Sequence, residues 1–218
     1  MAPIHFIVII HLFLASAVLA LLGPGRMAVG YRHAHPAQVE SYRKAGDVLT
    51  WERSETSEES FSTFGIGVYM SPKRNGWVWK KQIGNYHCLI TADEAAFTQN
   101  SKVKIPTYVV TKSGLRRPIE GILGWVADYI KEQCADPDTA IRLPLNSKGK
   151  IEIMIPPSDL NQAGADLDLR VICEQNVDDL PDIEINLNSP AWTANAVGNY
   201  DSEPSVEDLV WNWSDDDE

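Results

Sequence analysis

Polar and apolar residues alternate most cleanly over residues 149–157, Gly-Lys-Ile-Glu-Ile-Met-Ile-Pro-Pro. Read as a strand, the stretch sets Ile151, Ile153 and Ile155 on one face and Lys150, Glu152 and Met154 on the other. β-Branched residues favour the extended state, and Pro156-Pro157 ends it because proline has no N–H for a ladder. Glu152 is the odd member, a carboxylate in mid-strand among isoleucines. A strand is a rigid mount, so a carboxylate on it keeps a fixed direction, as a catalytic group requires. The plain alternative is a solvent-facing glutamate on an ordinary amphipathic strand.

The same patterning divides the rest of the chain. Residues 28–34 read as a short strand carrying Tyr31-Arg32. His35-Pro36 then opens a helix over 37–45 that buries Val39 and Tyr42 and stops at Gly46. Residues 50–62 are polar, acidic and serine-rich and read as a mobile loop. A strand over 64–72 is entered through Gly65 and Gly67, where missing side chains permit unusual backbone angles or close approach of a ligand. Residues 86–91 read as a strand, a short helix follows from 92 to about Phe97, and 103–111 is extended around Pro106. The best helical periodicity spans 119–134, with Ile122, Leu123, Val126, Tyr129, Ile130 and Cys134 on one stripe. Residues 139–143 are extended, and 167–174 is a strong strand. From 177 onward the chain turns acidic and aperiodic, with tryptophans at 192, 211 and 213, and reads as a partly disordered, partly docked tail. The expectation is an α+β domain over residues 28–176, strand-rich, with two or three helices.

Composition narrows this picture. Residues 4–22 are almost unbroken apolar sequence, with small residues at Ala15-Ser16-Ala17 and Ala20 and a Gly23-Pro24-Gly25 break. That layout predicts a secretory signal peptide over 1–20, cut near Ala17 to Ala20; the alternative is an uncleaved anchor. A secreted, extracellular chain with no stable membrane association after cleavage is the expectation. The net charge of −11 is concentrated at the end: residues 199–218 hold eight acidic and no basic side chains, and without them the charge is −3. No basic footprint for nucleic acid is present. Cys88, Cys134 and Cys173 predict one disulfide and one spare thiol in an oxidising compartment, with the pairing open. No cysteine spacing suggests a metal site. Asn212-Trp213-Ser214 is a glycosylation sequence.

Three segments, in chain order, resemble the ADP-ribosyltransferase superfamily of secreted toxins and their eukaryotic relatives. Tyr31-Arg32 followed by a proline-containing helix and Gly46 is similar to the opening of cholera-type enterotoxin A chains. The 65–71 segment, Gly-Ile-Gly-Val-Tyr-Met-Ser, resembles the Gly-x-Gly-aliphatic-Tyr segment of the poly-ADP-ribose polymerase branch. The 152–157 segment, Glu-Ile-Met-Ile-Pro-Pro, resembles the catalytic strand of arginine-modifying members. The resemblance spans roughly 28–175.

The resemblance implies two small packed sheets and NAD as substrate. Arg32 would hold the pyrophosphate or ribose, a planar cation against phosphate oxygens. Tyr69 would stack on nicotinamide, and Gly65 and Gly67 would let the backbone approach it. Glu152 would bind the nicotinamide ribose and stabilise the oxocarbenium-like cation as nicotinamide leaves. His33 matches the histidine of the polymerase branch. Ser71, or residues 61–64, stands where the toxin branch has its Ser-Thr-Ser strand. Lys150 occupies the place where arginine-modifying members carry Glu or Gln, which puts transfer to arginine in question but not hydrolysis or another acceptor. Glu174, at a second strand end, is the fallback carboxylate. The expected activity is a secreted NAD-cleaving enzyme, a mono-ADP-ribosyltransferase or NAD glycohydrolase acting as toxin or effector, its acceptor a host protein or water. The alternatives are an inactive binding module of the same fold and an unrelated secreted α+β interaction protein.

Overall fold

The computed structural model describes residues 22–51, 64–76, 86–110, 116–118, 123–145, 150–160 and 166–200. The expected signal peptide, most of the 50–62 loop, residues 119–122 of the expected helix, the glycosylation sequence and residues 201–218 lie outside the described residues. Strand β1 (Arg26–Ala34) leads into helix α1 (Pro36–Lys44). His35 caps that helix through a reciprocal pair with Gln38, and Pro36 fills the first turn, where its missing N–H is not needed. Its end closes in a Schellman motif, with Gly46 at φ +76, Gly46 N–H donating to Arg43 O and Asp47 N–H to Tyr42 O. Val39 and Tyr42 are buried, as their spacing requires.

Next come β2 (Val68–Met70), β3 (Tyr86–Asp93), α2 (Glu94–Gln99), β4 (Lys102–Ile105), β5 (Tyr108–Val110) and β6 (Arg116–Pro118). Helix α3 (Leu123–Gln133), β7 (Ile141–Pro144), β8 (Ile153–Ile155), β9 (Arg170–Glu174), α4 (Pro190–Thr193) and β10 (Ala196–Val197) follow. The strands form a three-stranded sheet, β1-β3-β9, a five-stranded sheet, β10-β4-β7-β8-β2, and a β5-β6 ribbon. The parallel pair β4 and β7 needs a crossover, and α3 lies within it. Tyr31 and Ser71 join the two larger sheets by exchanging two backbone hydrogen bonds of 2.8 Å, so the strands run in the order β8-β2-β1-β3 across the junction.

Alternation then sorts the core. Val68, Met70, Ile141, Leu143, Ile153 and Ile155 join one apolar cluster with β1 and β3 residues. On the other face, Phe64, Val103 and Ile105 pack with Val126, Tyr129 and Ile130 of α3. Cys88 and Cys173 sit opposite one another on β3 and β9 and form the disulfide, leaving Cys134 free.

Several boundaries differ from expectation for local reasons. The 149–157 strand contracts to Ile153–Ile155, with Ile151 in a single bridge to Leu145 and Glu152 at its margin. Pro144 causes this: it accepts from Glu152 N–H but has no N–H to return. Met154 is buried, because α3's side of the sheet is covered too. The 86–91 strand runs on to Asp93, whose carboxylate caps α2 by accepting from Ala96 N–H. Leu167 and Leu169 are buried, but Asp168, at φ +40 and paired to Arg26 and Arg170, breaks the expected 167–174 strand before Arg170.

Residues 177–200 are not a loose tail. Leu180 and Trp192 are buried, Trp192 packs edge-on against Phe97 at 4.7 Å, and β10 extends the five-stranded sheet beside β4. The acidic composition hid isolated apolar anchors that follow no helix or strand period. Lys102 helps hold this end: fully buried, it donates to the carbonyls of Phe97, Asn100, Thr98 and Ala194. Burial lowers its pKa to about 8.

Candidate functional site

The strand order brings the sequence candidates onto three adjacent strands. In the β2–β8 ladder Val68 faces Ile155, Tyr69 faces Met154 and Met70 faces Ile153. Carried one residue further, that register sets Ser71 across from Glu152. Ser71 in turn is bonded to Tyr31, the neighbour of Arg32. Tyr31, Ser71 and Glu152, far apart in sequence, therefore share one cross-strand row where the two sheets join, with Arg32 one residue beyond that row on β1. Glu174 is on β9, two strands beyond β1, and pairs with His87 instead. The fallback carboxylate is thus remote from the junction.

Each candidate has a definite environment. Arg32 is only 4% exposed, and its Nε donates to His33 O at 3.4 Å. A guanidinium so deeply placed needs oxygen partners to offset lost hydration. His33 faces His87 across the β1–β3 ladder, the rings meeting edge-on at 4.4 Å. Burial, and for His33 the neighbouring ring, lowers both pKa values. Ser71 is buried, and its Oγ accepts from Lys73 N–H. Glu152 is half-buried and Lys150 exposed.

Gly65 and Gly67 are required by contact. Gly65 has φ +109, and a Cβ there would strike the Arg142 guanidinium. A Cβ on Gly67 would strike Ile155 O and crowd Met154 Sδ. Tyr69 donates its hydroxyl to Gly65 O at 2.8 Å, and its ring packs against the cluster under α3. Its visible work is to hold the glycine turn, a different task from the ring stacking that the resemblance implies.

Tyr31 has a role the sequence reading did not assign to it, and Arg142 escaped that reading altogether. Tyr31 donates to Pro181 O at 2.7 Å and accepts from Ile183 N–H at 2.8 Å, fastening residues 181–183 to β1. Arg142 lies across from Met154 on β7, on the sheet face that also carries Tyr69, and donates to Phe64 O at 2.6 Å. Its signal was the one that singled out Glu152, a charge between buried aliphatics, here Ile141 and Leu143. Among the described residues no group of three or more His, Cys, Asp or Glu side chains is placed to hold a metal ion. Among the same residues no helix is long and apolar enough to cross a membrane.

The molecule is thus an α+β protein whose segments around Arg32, Ser71 and Glu152 run side by side at a sheet junction. Residues 62–199 match a family of unknown function (DUF5910), and the chain belongs to that family. The match takes in β2 to β10, including the docked 177–199 segment, and leaves β1 with Arg32 outside it. No curated protein matches the chain.

Proposed function

We propose that this protein is a secreted NAD-cleaving enzyme of the ADP-ribosyltransferase fold, a toxin or effector that passes ADP-ribose to a protein acceptor or to water. The observation that carries the reading is the junction itself: Arg32, Ser71 and Glu152 come from three separate segments, Arg32 on β1, Ser71 just past the end of β2 and Glu152 just before β8, and these strands are neighbours. The likeness of the 31–32, 65–71 and 152–157 segments to that superfamily, from which these residues take their roles, supports it too. In this reading Arg32 binds the anionic pyrophosphate or the ribose. Glu152 accepts a hydrogen bond from the nicotinamide ribose and faces positive charge as the glycosidic bond breaks. Ser71 supports that carboxylate from the adjacent strand. Gly65 and Gly67 keep the approach open, with Tyr69 holding their turn.

The test is nicotinamide release from NAD by the mature chain and by Glu152→Gln. Loss of the anion removes charge stabilisation that develops only in the transition state. Release should fall about 100- to 1000-fold while the fold persists. A variant as active as the wild type would end the assignment of Glu152. The second reading, an inactive binding module of the same fold, is favoured by one observation: Tyr69 uses its hydroxyl and ring internally. It predicts no release by either protein, with protein acceptors present or absent.

A further inference from the structure

Arg142 is a charged group that the proposed chemistry does not use. Burial lowers its pKa, its Nε is buried without a hydrogen-bond partner, and among the described residues no carboxylate pairs with it. Arg142 is half-buried, and Asp138 acts on it only through space, without a salt bridge; a structural arginine ordinarily has a paired carboxylate to offset its desolvation. Arg142 instead gives its short hydrogen bond to one backbone oxygen, that of Phe64. The next carbonyl, Gly65 O, is taken by the Tyr69 hydroxyl. Arg142, Met154 and Tyr69 stand in one cross-strand row on β7, β8 and β2, so both carbonyls are drawn to the same row of side chains.

Peptide planarity carries the consequence outward. In a trans peptide the N–H points opposite to its C=O, and no cis peptide is present. With Phe64 O and Gly65 O held by Arg142 and Tyr69, the N–H groups of Gly65 and Ile66 are directed away from that row. Ile66 is exposed. The left-handed φ of Gly65 is what lets two successive carbonyls turn the same way, and successive N–H groups in such a turn suit anionic or acceptor oxygens.

We propose that Arg142 is a positioning residue for the NAD site: it fixes the 64–65 peptide, and thereby presents the Gly65 and Ile66 N–H groups to acceptor oxygens of the dinucleotide. This rests on the NAD-cleaving reading above. Arg142 acts through the turn and does not touch the bond that breaks. Its removal therefore raises KM and leaves the chemical step nearly intact.

The experiment measures kcat and KM for nicotinamide release, with thermal melts, for the wild type, Arg142→Met and Arg142→Lys. Arg142→Met should raise KM about tenfold with kcat within about threefold of the wild type. Arg142→Lys keeps one donor for Phe64 O and should recover most of the affinity. If Arg142→Met does not fold, Arg142→Lys decides alone, with a KM about threefold above the wild type expected. A lower melting temperature with an unchanged KM would show a purely structural arginine and overturn the proposal. A wild type that releases no nicotinamide would instead overturn the NAD reading, and this role with it.

Discussion

Asp159 follows the Pro156-Pro157 stop with its Oδ2 buried and unpaired. Burial chiefly, with Asp166 and Asp136 nearby, raises its pKa to about 6 from an ordinary 3.8. The folded state therefore binds this proton more tightly than the unfolded chain. The group's contribution to stability is full below about pH 4 and is lost as pH rises through about 6. At pH 7 the folded protein carries a poorly solvated anion, and Asp159→Asn should stabilise it by about 1–2 kcal/mol. In urea denaturation the gain should shrink towards nothing by about pH 3, where the aspartate is largely protonated in both states. A gain of equal size at both pH values would refute the buried-anion account. The His33–His87 pair has the opposite sign. Its pKa values are depressed by burial, so the unfolded chain takes up protons first as pH falls below about 6.5, and stability drops. The two effects oppose each other between pH 4 and 6, and the asparagine variant exposes the histidine term by itself.

At the scale of elements, what was legible in the sequence was local. Helix α1 could be read nearly to the residue because His35, Pro36 and Gly46 act within one turn of its ends. The cysteine pairing could not be read. Cys88 and Cys173 are 85 residues apart and meet only because β3 pairs with β9 in that register. Strand adjacency is non-local in the same way: nothing within 64–72 or 149–157 says that β2 lies between β8 and β1. The shortness of β8 was hidden too, since it depends on Pro144 in a different strand. The disulfide closes a long loop, and the chain-entropy model assigns such a closure about 4 kcal/mol. Because β3 and β9 are already hydrogen-bonded along five residue pairs, the Cys88→Ala/Cys173→Ala double variant should keep the native sheet and lose about 2–4 kcal/mol in urea denaturation. An unchanged midpoint would mean that the unfolded chain gains little freedom when the link is cut.

Over the whole molecule, the structure adds most to the pattern after residue 176, where the expected partly docked tail packs as far as residue 200. Net negative charge and missing periodicity marked 177 onward as tail, because both measures average over a window. Docking needs no window, only a few side chains that fit. Leu180 and Ile185 enter the main cluster, Tyr31 fastens 181–183, and Arg74 donates to Val177 O and Leu180 O from the loop that follows Ser71. The strap thus touches the two strands that carry Arg32 and Ser71, so its integrity bears on the junction as well as on the core. Trp192 is its principal anchor, buried against Phe97, and Lys102 donates to Ala194 O two residues further on. Trp192→Ala should lower stability by about 4 kcal/mol, the range of a large aromatic lost from a packed core. If the segment were the loose tail its composition suggests, the same change would cost less than about 0.5 kcal/mol, as for an unpacked surface residue. Urea denaturation followed by far-ultraviolet circular dichroism separates the two. A large loss would place the end of the domain near residue 200, and any shorter version of the protein cut after Asn176 would then fail for lack of a core rather than for lack of a site.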